Sequence, residues 1–275
     1  MPLSLAPRSE PRELFSVLLA GAILLLVVHG LGRFIYTPLL PYLVADGQLT
    51  ASQGASVATW NYLGYLIGAL LAIRWYRVHQ IRRILPIAMA IHVVTTLLQT
   101  QISAVEPLSA LRLANGIANG AVFVQVPALI LEWLILRNRS SLSGLVYVGV
   151  GVGLLFSAGL VTIPAGFLSG AERWWPAALF SIPLAWWATH RLITLDLPPA
   201  PRRDDGSVME KGKLLDRASI PLFLSYAGAG LGYILPMTFL PLLAKTQLPP
   251  GHWMVDGSWV LVALAAIPAP IIWNA

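Results

Sequence analysis

Residues 14–44 form a long apolar run in which only His29 and Arg33 can hold charge. An arginine inside a membrane-spanning helix costs from about 2.5 kcal/mol upward, so it requires an aqueous cavity or a partner. The same run carries Gly30, Gly32, Pro38 and Pro41, more backbone interruption than a simple anchor needs. The segment Gly30-Leu-Gly-Arg-Phe-Ile-Tyr-Thr-Pro-Leu-Leu-Pro41 returns as Gly230-Leu-Gly-Tyr-Ile-Leu-Pro-Met-Thr-Phe-Leu-Pro241, without a gap. Gly, Leu, Gly, the Leu at 40 and 240 and the Pro at 41 and 241 are identical. Internal duplication in a chain with many apolar segments points to a secondary transporter assembled from repeats.

Composition excludes a water-coated fold. Only 11% of the 275 residues are charged and 57% are hydrophobic, against about 25% charged in soluble domains. The net charge of +6 does not indicate nucleic acid, because no helix carries an exposed basic stripe. The absence of cysteine removes disulfides, thiolate chemistry and cysteine metal sites. The first apolar run is too long for the core of a signal peptide and no small-residue cleavage site follows it.

Runs of about 20 apolar residues predict eight spanning helices: 14–44, 52–75, 84–101, 108–133, 142–163, 174–192, 220–244 and 255–273. An all-α membrane bundle follows, divided as a six-helix bundle over residues 1–193, a polar, proline-rich linker over 194–218, and two further helices over 219–275. Lys and Arg are strongly one-sided. Arg8, Arg12, Arg74, Arg77, Arg82, Arg83, Arg137, Arg139, Arg191, Arg202, Arg203, Lys211, Lys213 and Arg217 fall on one side, with only Arg173 and Lys245 opposite. The rich side is expected to be cytoplasmic, with both termini and the linker there, in a bacterial inner membrane. Tryptophans near the predicted helix ends agree with these boundaries.

At 100° per residue, His29, Arg33, Tyr36 and Thr37 share an arc of about 100°, which predicts a polar face on a cavity. Arg33 is the candidate grip for an anionic or polar solute, and His29, one turn away, the candidate for proton coupling. The plainer alternative is that Arg33 only organises packing and His29 is satisfied locally. On the fourth helix, Arg112, Asn115 and Asn119 share a face and join the substrate-site candidates, while Gly116 and Gly120 form a small-residue surface for close approach. Gly149, Gly151 and Gly153 alternate with valine and are read as packing surface. Asn61, His92 and Gln125 are expected to satisfy neighbouring helices. No hydrolase, phosphate-cradling or metal-binding motif is present. Asp46, Glu106, Glu172 and Asp256 lie scattered near one set of helix ends, so the reading is of a non-enzyme without cofactor or metal.

The eight helices, the linker after the sixth and the repeat between the first and seventh resemble the major facilitator superfamily. Arg112-x-x-x-Gly116-x-x-x-Gly120 resembles its fourth-helix motif. The segments from Gly30 to Pro41 and from Asn61 to Leu70 are similar to the YbfB/YjiJ-type branch. The resemblance implies a bundle whose first, fourth, seventh and tenth helices line a central site, and transport of small solutes, often proton-coupled. Two features depart from it. No acid occurs between Gly68 and Arg83, where the superfamily places one. Residue 275 maps by the repeat offset onto Trp75, the end of the second helix, so the chain is expected to be truncated after its eighth helix. The alternative function is then a transport-inactive remnant or a partner subunit, prone to self-association or dependent on complementing helices. The charge asymmetry predicts that a reporter inserted near Pro201 is active only if it is one that works in the cytosol. Activity of a periplasmic reporter there would invert the topology.

Overall fold

The computed structural model describes residues 11–75, 77–197, 217 and 219–274, with side chains through Ile272. It is all-helical across the described residues, and each of the eight predicted helices is present. The first run extends over Pro11–Ala45, and the second, third and fourth helices are Ala51–Arg74, Val78–Gln99 and Val105–Ile135. The fifth opens as a 3-10 turn at Ser140–Tyr147 and continues as Val148–Thr162. The sixth, seventh and eighth are Trp175–Ile193, Ile220–Gln247 and Met254–Ala266, followed by a short Ala269–Asn274. Among the described residues, seven helical runs have the length and composition to cross a bilayer. The sixth helix is less apolar, because Trp186, Trp187, His190 and Arg191 crowd its end. The third helix starts earlier than expected, since His79, Arg82 and Arg83 mask its onset from an apolar count. Most of the predicted linker, including Arg202, Arg203, Lys211 and Lys213, lies outside the described residues.

The first run is not a uniform helix. Leu26–Phe34 is a nine-residue π-helix between α-helical Pro11–Leu25 and Tyr36–Ala45. Every residue from Val27 to Pro41 is buried, including His29 and Arg33. This run is the central post on which the other helices stand.

Glycine sets the distances around it. The second and fourth helices pack most closely together, with Gly64 and Gly68 against the Leu113 and Ile117 carbonyls and Gly116 and Gly120 against those of Asn61 and Tyr65. A Cβ at any of the four would overlap backbone, which is how small residues let helices close in lipid. On the fifth helix the glycine alternation becomes intelligible. Residues two apart point about 200° apart on a helix. Gly149 and Gly153 therefore meet the first run at Ala22, Leu26 and Gly30, while Gly151 meets the eighth helix at Ala266 and Ile267.

The loops at the two ends differ in how they are closed. At the end bearing Asp46, Thr50 and Gln53 form a capping box that starts the second helix. Arg173 donates from Nε and Nη2 to both Asp46 carboxylate oxygens, at 2.7 and 3.1 Å, and the Gly170 N–H adds a bond of 2.8 Å. The Arg173 hydrogen bonds hold the Asp46 carboxyl below the usual carboxylate range. At the end bearing Arg74, Arg82 donates to the Leu195 carbonyl, and Arg191 meets Ser16 and Glu13.

The seventh and eighth helices join the rest by hydrogen bonds at the Asp46 end, while the short Ala269–Asn274 helix packs against Ser140–Tyr147 toward the other. Thr37 Oγ1 donates to the Met237 carbonyl at 2.9 Å. Tyr62 and Thr238 are bonded through their hydroxyls. Tyr42 donates to Asp256 at 3.1 Å, and Trp259 Nε1 to Ser157 at 3.1 Å. Toward the Arg74 end the seventh helix stands free, with Tyr226 74% and Leu231 76% exposed. Gly228, Gly230 and Gly232 have open space at the Cβ position. Replacing Gly120 by Val should lower thermal stability in detergent by about 1–3 kcal/mol through overpacking, while Gly228→Ala should cause no loss. Equal stability of the two variants would refute the role given to the glycine interface.

Candidate functional site

A π-helix pairs each N–H with the carbonyl five residues back, so its junctions leave carbonyls without an intrahelical partner. In a bilayer those groups must be satisfied by protein. Arg112, 1% exposed, supplies the partner: Nη1 donates to the Gly32 carbonyl at 2.5 Å and Nη2 to the Arg33 carbonyl at 3.0 Å. Its guanidinium also lies 5.1 Å from the Tyr36 ring centroid and 5.6 Å from that of Trp174. The Asn61 amide in turn donates to the Arg112 carbonyl at 2.9 Å.

Asn115 and Asn119 belong to a second buried cluster, built with the third and sixth helices. His92 Nδ1 pairs with Asn119 Oδ1 at 2.9 Å and its Nε2 with Ser181 at 3.2 Å. Asn119 donates to Asn115 Oδ1 at 2.7 Å, and Asn115 to Thr95 at 2.9 Å. Gly32 packs directly on Asn119 and His92. Asn61, His92 and Gln125 each meet a neighbouring helix, Gln125 through the Trp75 carbonyl at 3.1 Å.

Arg33 is different. Only 7% exposed, it has no acidic partner, and its Nε has no hydrogen-bond partner. Ion pairs among the described residues involve Arg173 with Asp46 and Arg191 with Glu13. Three rings face the Arg33 guanidinium instead: Tyr65 at 4.3 Å, and Tyr62 and Phe34 at 5.0 Å each. Cation–π contacts of this kind are worth about 0.5–2 kcal/mol each. His29 also sits among rings, 4.2 Å from Phe123, 5.7 Å from Tyr65 and 5.8 Å from Phe34, and its Nδ1 is unpartnered.

Beside His29 lies a cavity of about 350 Å³ lined by Phe34, Phe123, Tyr147, Leu154, Tyr233 and Met237, among others. The first, fourth, fifth, seventh and eighth helices all contribute to it. The predicted shared face is divided: Tyr36 donates to the Gly54 carbonyl at 3.0 Å, and Thr37 turns to Met237. A π-helix advances less than 100° per residue, so a face counted at α-helical pitch slips across residues 26–34. His29 lines the cavity and Arg33 lies behind Phe34, outside its wall, whereas Arg112 bonds the π-helix backbone and Asn115 and Asn119 join the His92 cluster. Sequence reasoning missed the rings at 34, 62, 65, 123, 147 and 233. The repeat held a signal for one of them, since Tyr233 is the equivalent of Arg33.

A multi-helix membrane bundle with a cavity between its repeats is the architecture of a major facilitator transporter. The family described as "Uncharacterised MFS-type transporter YbfB" matches residues 25–275. The chain belongs to that family, and family and fold point to a membrane transporter rather than an enzyme. No curated protein sequence matches it. Among solved structures, the nucleoside transporter NupG is similar, with a TM-score of 0.60 and 16% identity. The alignment covers 94% of this chain and 65% of that one, so this chain spans less than two thirds of its structural neighbour.

Two substitutions separate the roles of the arginines. Arg112→Ala orphans two buried carbonyls and should cost roughly 2–6 kcal/mol of stability, at about 1–3 per group. Arg33→Lys should cost far less, because no backbone group depends on it. Thermal unfolding in detergent checks the ordering, and the reverse order would refute it.

Proposed function

We propose that this chain is part of a secondary active transporter that moves a small anionic organic solute through the cavity beside His29 by alternating access. The single observation that carries the reading is Arg33. It is a buried guanidinium without an acid, packed on Phe34, whose ring lines a cavity between the two repeats. No acidic side chain among the described residues lines that cavity. An incoming anion meets a positive potential that the protein itself leaves unneutralised, and a planar fork fits a carboxylate better than an ammonium does. In this reading Arg33 grips the solute. Arg112 holds the π-helix beneath it with Tyr36, and Asn115 and Asn119 brace that helix from behind.

The bundle divides after residue 193, with 194–218 as a cytoplasmic linker and both termini on the Arg-rich side of the inner membrane. Contacts of the seventh and eighth helices at the Asp46 end, and the free span of the seventh toward Arg74, then describe a conformer closed outward. His29, unpartnered at Nδ1 and close to Arg33, is the proton-coupling group. A second reading is favoured by the exposure of the seventh helix from Leu222 to Leu231: the chain transports only when further helices, or a second copy, cover that face.

The chain has no cysteine, so a single Met237→Cys in the cavity reports access without background. A membrane-impermeant thiol reagent should label it from the Arg74 side and not from the Asp46 side. In vesicles, saturable flux of an organic anion should be lost in Arg33→Lys. In His29→Gln, flux should persist downhill but fail to follow a pH gradient. Labelling from the Asp46 side alone would overturn the outward-closed assignment. Anion flux indifferent to Arg33 would overturn the site.

A further inference from the structure

The cavity beside His29 is an unusual place for a merely polar solute. Polar groups are few in its wall, where Tyr147 and Tyr233 add one hydroxyl each to His29, and the polar clusters elsewhere in the bundle are spoken for. His92, Asn115, Asn119, Thr95 and Ser181 satisfy one another, and both Arg112 terminal nitrogens are bound to carbonyls. A hydroxyl-rich solute would leave its own groups unpaired there, at a cost for each. His29 Nδ1, in the cavity wall, and Arg33 Nε, behind Phe34, have no hydrogen-bond partner, and both side chains are enclosed by rings. The remaining wall is aromatic or aliphatic: Phe34, Phe123, Tyr147, Leu154, Tyr233 and Met237. Phe123 is the pivot, tilted on His29 at 4.2 Å and edge-on to Tyr147 at 5.8 Å.

Building on the reading of this cavity as the solute site, we propose that its solute is an aromatic carboxylate. The carboxylate lies toward Arg33 and His29, and the ring lies among Phe123, Tyr147 and Tyr233. A carboxylate is the acceptor that the unpartnered His29 nitrogen and the unneutralised Arg33 charge behind Phe34 call for. A planar ring fits a wall of ring faces and edges better than a saturated body of equal size. An aromatic cation is opposed by the Arg33 charge, which lies one ring behind the wall on Phe34.

The test uses the purified chain in detergent and four probes in calorimetric titration: benzoate, cyclohexanecarboxylate, benzamide and benzylamine. Benzoate should bind about three- to tenfold tighter than cyclohexanecarboxylate, the ratio expected of aromatic contacts beyond area alone. Benzamide and benzylamine should show no saturable binding. Phe123→Leu, with Tyr147→Leu as a second variant, should reduce the preference for benzoate over cyclohexanecarboxylate to near unity, whatever each does to the affinity of the latter. Equal affinity of the two carboxylates for the unaltered chain would overturn the aromatic assignment while leaving the anion site standing. Binding of benzamide as tight as benzoate, or of neither carboxylate by the folded chain, would overturn the anion site itself.

Discussion

A carbonyl released from its helix inside a bilayer has no water to turn to, and the rest of this structure depends on how that demand is met around Gly32 and Arg33. The π-helix at Leu26–Phe34 opens the first run where it is most buried. The Arg112 guanidinium closes the account with two charge-assisted bonds. The fourth helix can deliver that group only by lying close, and its glycines at 116 and 120 make this possible against the second helix. The same approach brings Asn115 and Asn119 onto His92. A single backbone irregularity thus fixes the spacing of the first, second, third and fourth helices.

The duplication gives the fold an internal comparison. Thr37 is bonded to Met237, the residue at the same offset of 200 that aligns the repeats. Equivalent positions touch where a pseudo-two-fold axis passes between two related elements, so this bond marks the crossing point of the copies. Yet the copies differ. The segment around Gly30 is π-helical and fully enclosed, whereas the segment around Gly230 is regular α-helix and exposed. Where the first copy has Arg33, needing support, the second has Tyr233, which needs none. The asymmetry between the copies is sharpest at that one pair of positions.

Much of the architecture was legible in the sequence because a bilayer makes apolar length and the distribution of Lys and Arg direct observables. The spans from 14–44 to 255–273 lie within a few residues of the observed helices, apart from the early start of the third and the break of the eighth near Pro268. Arg33 and His29 announced themselves as charges in an apolar run. The partners of Arg112 did not, because they are backbone carbonyls and leave no pattern of residue types. The aromatic wall was equally hidden: Phe34, Tyr65, Phe123, Tyr147 and Tyr233 come from five helices, and no periodicity within one helix reveals convergence among several. Tyr36 was placed on the cavity face by counting at α-helical pitch, and the π-helix turned that count aside.

The enclosure of Arg33 also explains how this region folds without an acidic partner for the guanidinium. Holding an unpaired arginine within a membrane helix costs from about 2.5 kcal/mol, and three ring faces return about 0.5–2 kcal/mol each. The two quantities are of similar size, so the guanidinium needs no carboxylate from the protein to be tolerated. Rings disperse the charge without neutralising it. A buried aspartate in their place would hold the arginine more tightly and would compete with any anion entering the cavity. An aromatic enclosure leaves the positive potential unneutralised, and the proposed role of Arg33 in recognition rests on that difference from a structural ion pair.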